Sequence, residues 1–145
     1  MDEQGQSAVP GWYWVAAVLA LLFECLGCYF YLAEVTMTEV QIAALAIDER
    51  VMMAARPAIY YAAFAVAVWV ALIGTMLLLM RRKLAEMLLL ISLVAVVAQF
   101  GIALLTPAMS QVTPDSAYAL PIGIGVICYG IYMLSRTARK RGWLR

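Results

Sequence analysis

WYWVAAVLALLFECLGCYFYL, residues 12–32, is apolar over a length that suits a bilayer and is interrupted by a single acid, Glu24. A helix rises about 1.5 Å per residue, so roughly 20 such residues cross the ~30 Å hydrocarbon layer. Trp12, Tyr13 and Trp14 stand at one end and Tyr29, Phe30 and Tyr31 at the other, the ring pattern of two membrane–water interfaces. Glu24 lies roughly 18 Å in from Trp12, too deep for its short side chain to reach headgroups. It must therefore be protonated, be paired, or face a polar cavity.

The composition agrees with this reading. Of 145 residues, 66% are apolar and 13% charged, far from soluble usage, and the mean hydropathy is +0.91. The net charge of +1 conceals an asymmetry: eight of the ten Lys and Arg fall in Arg81–Lys83 and in the tail from Arg136 to Arg145. There is no histidine, which removes the commonest metal ligand and acid/base side chain and argues against metal, haem and triad chemistry. The acidic start MDEQGQSAVPG does not resemble a secretory signal, so the first span is expected to be an uncleaved helix.

Working outward, AEVTMTEVQIAALAIDERVMMAARP (33–57) carries Thr38 and Gln41 at capping-box spacing. Val40, Ala43, Ala44, Ile47, Val51 and Ala54 recur at helical spacing, predicting one external amphipathic helix over about 39–55. Pro57 suits the first turn of a second span, 57–80, in which Ala63, Ala67 and Ala71 form a ladder of small side chains for a close neighbour. Arg81–Lys83 leaves room only for a tight turn into a third span, 84–105, with Glu86 near the interface, Gln99 deep inside and Pro107 closing it. Thr113–Pro114 reads as a helix start before a fourth span, 118–135. Pro121, Gly123, Gly125 and Gly130 there predict a bend and close packing. The tail SRTARKRGWLR should leave Trp143 and Leu144 near the surface.

The fold expected is thus an all-α membrane protein: a single domain of four transmembrane helices in an antiparallel bundle, with a short amphipathic helix between the first two spans. An even number of spans puts both termini and the Arg81–Lys83 turn on one side, and the positive-inside bias makes that side cytoplasmic.

Candidate site residues follow from depth and helical register. Glu24, Gly27, Cys28 and Tyr31 share one face of the first helix. Gln99 lies within about one turn of the level of Glu24, and a ligand or proton site would draw on Glu24, Gln99, Tyr31 and Trp69. The competing reading is structural: a protonated Glu24 bonded to Gln99 or a tyrosine, joining two helices for about 1 kcal/mol, with Trp69 a lipid-facing or core aromatic. Cys25 and Cys28 form a CxxC that would support thiol exchange if one thiol ionised, although apolar surroundings disfavour that and plain packing is the alternative. No cofactor, catalytic constellation or nucleic-acid-binding pattern is present. Expected partners are the bilayer and another membrane protein or a second copy of the chain.

The segments LGCYFYL, VTMTEVQIAAL, YYAAFAVAVW, LLLMRRKLAEMLLLISLVAVVAQFG and KRGWLR together resemble a family of small uncharacterised inner-membrane proteins of Gram-negative bacteria, chiefly alphaproteobacteria. The resemblance covers nearly the whole chain and implies the bacterial inner (cytoplasmic) membrane, with both termini cytoplasmic. Members are often labelled sugar transporters, but the family offers no motif from which functional residues carry over. The layout also resembles DoxX-like four-helix bundles at fold level. Three functions follow as expectations: a non-catalytic accessory subunit that binds another membrane protein; a proton-coupled small-solute transporter using Glu24, similar in layout to small multidrug resistance proteins; and a thiol oxidoreductase using Cys25 and Cys28.

Overall fold

Pro10, in an extended conformation, starts the first helix of the computed structural model, which describes residues 8–111 and 118–145. In chain order the helices are α1 (Gly11–Val35), α2 (Glu39–Ala44), α3 (Ile47–Ala55), α4 (Ala58–Leu79), α5 (Leu84–Leu105), α6 (Pro107–Ser110) and α7 (Ala119–Lys140). Four of these, α1, α4, α5 and α7, are long and apolar enough to cross a membrane. The chain is thus an all-α, multi-pass membrane fold, with no strand among the described residues. The expected Thr113–Pro114 helix start lies outside those residues.

The ends of the long helices extend the sequence reading. α1 continues past Leu32 to Val35, and α7 continues past 135 to Lys140, where Arg139 and Lys140 suit the negative end of a helix. Pro57 caps α4 from just outside it, and Pro107 opens α6 after α5 has ended at Leu105.

The single helix expected over 39–55 is two helices. Thr38 and Gln41 form the expected capping box at the start of α2, but Leu45 and Ala46 are extended. Neither residue is a helix breaker. Asp48 and Glu49 in the first turn of α3 favour a fresh helix N-terminus there. The packed face also differs: Ile42, Leu45, Met52 and Met53 are half-buried, whereas Val40, Ile47 and Val51 of the expected stripe point outward. The segment carries two sets of apolar residues, and the bundle takes Ile42, Leu45, Met52 and Met53 while Val40, Ile47 and Val51 stay exposed.

Three neighbouring pairs hold the bundle together: α1 on α4, α4 on α5, and α5 on α7, with α1 and α7 meeting only sparsely. The α4–α5 seam is the closest. Ala67 and Ala71 of the ladder are buried there, and a Cβ on Gly74 would stand 3.0 Å from Leu89. Ser92 Oγ donates to the Ala67 carbonyl across the seam at 2.7 Å, fixing the register. On α7 the expectation of close packing fails. A Cβ added to Gly123, Gly125 or Gly130 would meet nothing within 4 Å.

The basic end is the most tightly specified part of the molecule. α7 closes with a Schellman motif: Gly142, at φ +70°, donates to Arg139, and Trp143 donates to Ala138 at 2.9 Å. α4 closes the same way, with Arg81 donating to Leu78 and Arg82 to Leu77, but here a non-glycine residue occupies the left-handed position at φ +58°. That conformation costs an arginine about 1 kcal/mol or more. It persists because the tail fixes it: Arg81 Nε donates to the Trp143 carbonyl at 2.7 Å, Lys83 N to the Arg145 carbonyl at 3.0 Å, and Arg145 N to the Arg81 carbonyl.

Contrary to the expectation of a surface tail, Trp143 and Leu144 are 3% and 2% exposed, packed with Tyr13, Ala17, Leu78, Ala85 and Leu89. Tyr13 completes the knot, its hydroxyl donating to the Leu78 carbonyl at 2.7 Å. At the opposite end, Arg56 pairs with Glu34 and lies over the Tyr60 ring, 5.1 Å from its centroid. Burial opposes the Arg56 charge, but Tyr60, Glu34 and Tyr61 outweigh it and hold the guanidinium above the ordinary arginine value. The stability from that upward shift is present at every pH below arginine's ordinary value, so ordinary pH changes do not discharge Arg56.

Candidate membrane-embedded site

The buried stripe of α1 runs Tyr13, Ala17, Ala20, Glu24, Cys28, steps of three and four residues that keep one face toward the bundle. Glu24 is therefore interior because of its register. Small residues on either side let α4 come close: a Cβ on Gly27 would be 3.4 Å from Val68, and Cys28 Sγ lies 3.6 Å from the Val68 carbonyl. One turn on, Tyr31 meets Phe64 edge-on at 5.2 Å. The shared face expected for Glu24, Gly27, Cys28 and Tyr31 does lie against α4.

The structure does not gather the whole expected set around Glu24. Gln99 is buried on α5, but no hydrogen bond joins it to Glu24 among the described residues. Tyr31 is engaged with Phe64, and Trp69 is 40% exposed on the outer face of α4, as expected for a lipid-facing aromatic. In place of Gln99, the thiols of Cys28 and Cys128 lie close enough to Glu24 to interact with it electrostatically. The sequence reading placed Cys128 inside the fourth span and missed this neighbour. Its depth on α7 was readable, but which face of α7 meets α1 was not.

Glu24 differs from most other buried polar groups. Thr75 donates to the Ala71 carbonyl at 3.0 Å, Ser92 to Ala67 at 2.7 Å and Ser135 to Tyr132 at 2.7 Å, so each hydroxyl is satisfied by backbone. Glu24 has no such partner among the described residues. Cys25 is exposed on the lipid side of α1 while Cys28 is buried, and both are free thiols, so the CxxC spacing places its two sulfurs in different environments. Among the described residues no cluster of three or more Cys, Asp or Glu is arranged to hold a metal ion.

Fold and site together define a small helical integral membrane protein with an acid, Glu24, in its interior. No protein-family model, curated protein or solved structure matches the chain.

Proposed function

We propose that the protein is a non-catalytic accessory subunit of the bacterial inner membrane, with both termini cytoplasmic, that binds the external part of another membrane protein through α2 and α3. One observation carries this reading: α2–α3 is braced yet displays apolar side chains. The Glu34–Arg56 pair and the packing of α3 on α6 fix the excursion. Val40 and Ile47 nevertheless remain 80% and 71% exposed. A braced apolar surface outside the spans fits a protein partner, because little ordering entropy remains to be lost on docking. A photo-crosslinking side chain at Ile47, used in native membranes, should yield one defined heteromeric adduct that Val40→Asp abolishes. Adducts with lipid alone would reduce α2–α3 to an interfacial element and overturn the reading.

The Glu24 carboxyl, buried on the bundle-facing stripe of α1, supports a second reading, proton-coupled transport of a small cationic solute at Glu24. A buried acid in a membrane interior is costly to retain unless it exchanges a proton or holds a cation during work. In proteoliposomes with an imposed proton gradient, uptake of lipophilic cations should collapse in Glu24→Gln. Equal uptake by the variant and the wild type would eliminate this reading.

A further inference from the structure

The sparse contact between α1 and α7 leaves a cleft of about 330 Å³, lined by Ala16, Leu19, Ala20 and Phe23 on one side and Ile127, Gly130, Ile131 and Leu134 on the other. Its lining contains no charged residue. Along α1 the cleft runs from about 6 Å to about 16 Å below Trp12, which is the depth of a single leaflet of a ~30 Å hydrocarbon layer.

At the basic end of the same two helices lies a second recess, bounded by Ala8, Pro10, Trp12, Arg141 and Trp143. Its chemistry is different. The Arg141 guanidinium sits 5.2 Å from the centroid of the Trp143 ring, and Trp12 meets that ring edge-on at 5.7 Å. Trp143 is held by the Schellman motif of α7 and by its carbonyl contact with Arg81, so Arg141 is presented from a fixed support. Arg136, Arg139 and Lys140 add positive charge nearby, of which Arg139 is already paired with Glu86 at 2.8 Å.

We propose that the α1–α7 seam is a binding site for one anionic phospholipid, with the headgroup phosphate at Arg141 beside the exposed Trp12 and an acyl chain in the apolar cleft. The occupant follows from the order of the two parts. A cation is seated at headgroup level, and directly below it on the same pair of helices is an apolar groove one leaflet deep. Only a molecule with an anionic head and an apolar tail complements both. A glycine at the groove wall, Gly130, leaves room that a side chain there would fill.

The test is native mass spectrometry of the purified protein carrying phosphatidylglycerol or phosphatidylcholine. Phosphatidylglycerol should be retained preferentially, and Arg141→Gln should lower its retention by roughly fivefold, the loss of one headgroup charge contact. Gly130→Leu should lower retention of both lipids by filling the groove while leaving every charge in place. Arg136→Gln, an exposed basic change outside the recess, should have no effect. Equal retention of the two lipids by the wild type would overturn the proposal. So would an equal loss in Arg136→Gln and Arg141→Gln, which would mean diffuse attraction by the whole basic end.

Discussion

The α4–α5 seam and the α1–α7 seam are built from similar materials, small residues on long apolar helices, yet one is closed and the other open. Small residues alone do not bring helices together in a bilayer, where lipid tails compete equally for apolar surface. At α4–α5, Ala67, Ala71 and Gly74 meet Ser92 and Leu89, and a hydroxyl-to-carbonyl bond ties one helix to the other. A turn of only a few residues, 80–83, also makes the pair a hairpin. At α1–α7 the small residues are Ala16, Ala20 and Gly130, with no such bond between the two helices among the described residues and no direct connection in the chain. Their contact is fastened at the basic end, where Trp143 packs on Tyr13 at 5.7 Å.

That difference can be broken or sharpened by substitution. The largest effect is expected at the fastening: Trp143→Ala should destabilise the protein by about 3 kcal/mol, the lower range for truncating a buried tryptophan. Thermal unfolding in detergent, with proteolysis of the freed tail, would measure it. Next, Gly74→Val should cost about 1–3 kcal/mol by overpacking against Leu89, read as a lower unfolding midpoint. A smaller loss, about 0.6 kcal/mol, is expected for Ser92→Ala, the typical worth of an interhelical hydrogen bond in a membrane; steric trapping or reversible denaturation in mixed micelles would resolve it. The smallest effect belongs to the open seam. Gly130→Ala meets no atom within 4 Å and should be neutral or stabilising by up to about 1 kcal/mol through helix propensity. A loss of stability in that variant would mean that the seam closes on itself.

The residues explain how much of this could be read from the chain. The four spans were legible because hydrophobic length is a local property, and so was the tight turn at Arg81–Lys83. The interior position of Glu24 followed from its register with Cys28 and Tyr31. Its neighbour Cys128 did not, because that depends on which faces of α1 and α7 meet. The folded-back tail had a local signal that went unread: glycine after a basic last turn, followed by Trp143–Leu144, is the pattern of a Schellman end with its apolar contact. Its counterpart at Arg81 had no such signal, since the left-handed conformation of an arginine is imposed by the tail. The break at Leu45–Ala46 was hidden for a similar reason. Neither residue stops a helix, and a stripe count cannot say which of two sets of apolar residues the bundle will use.

The most direct test of the two-seam account is photo-labelling in bilayers with a phospholipid bearing a diazirine along its acyl chain, followed by peptide mapping. Adducts are expected at Ala20 and Ile131, which face the α1–α7 cleft, and none at Ala67 or Ala71 in the α4–α5 seam. Absence of adducts at Ala20 and Ile131, with labelling confined to outward residues such as Leu22 and Val126, would show that lipid does not enter the α1–α7 seam and would contradict the account.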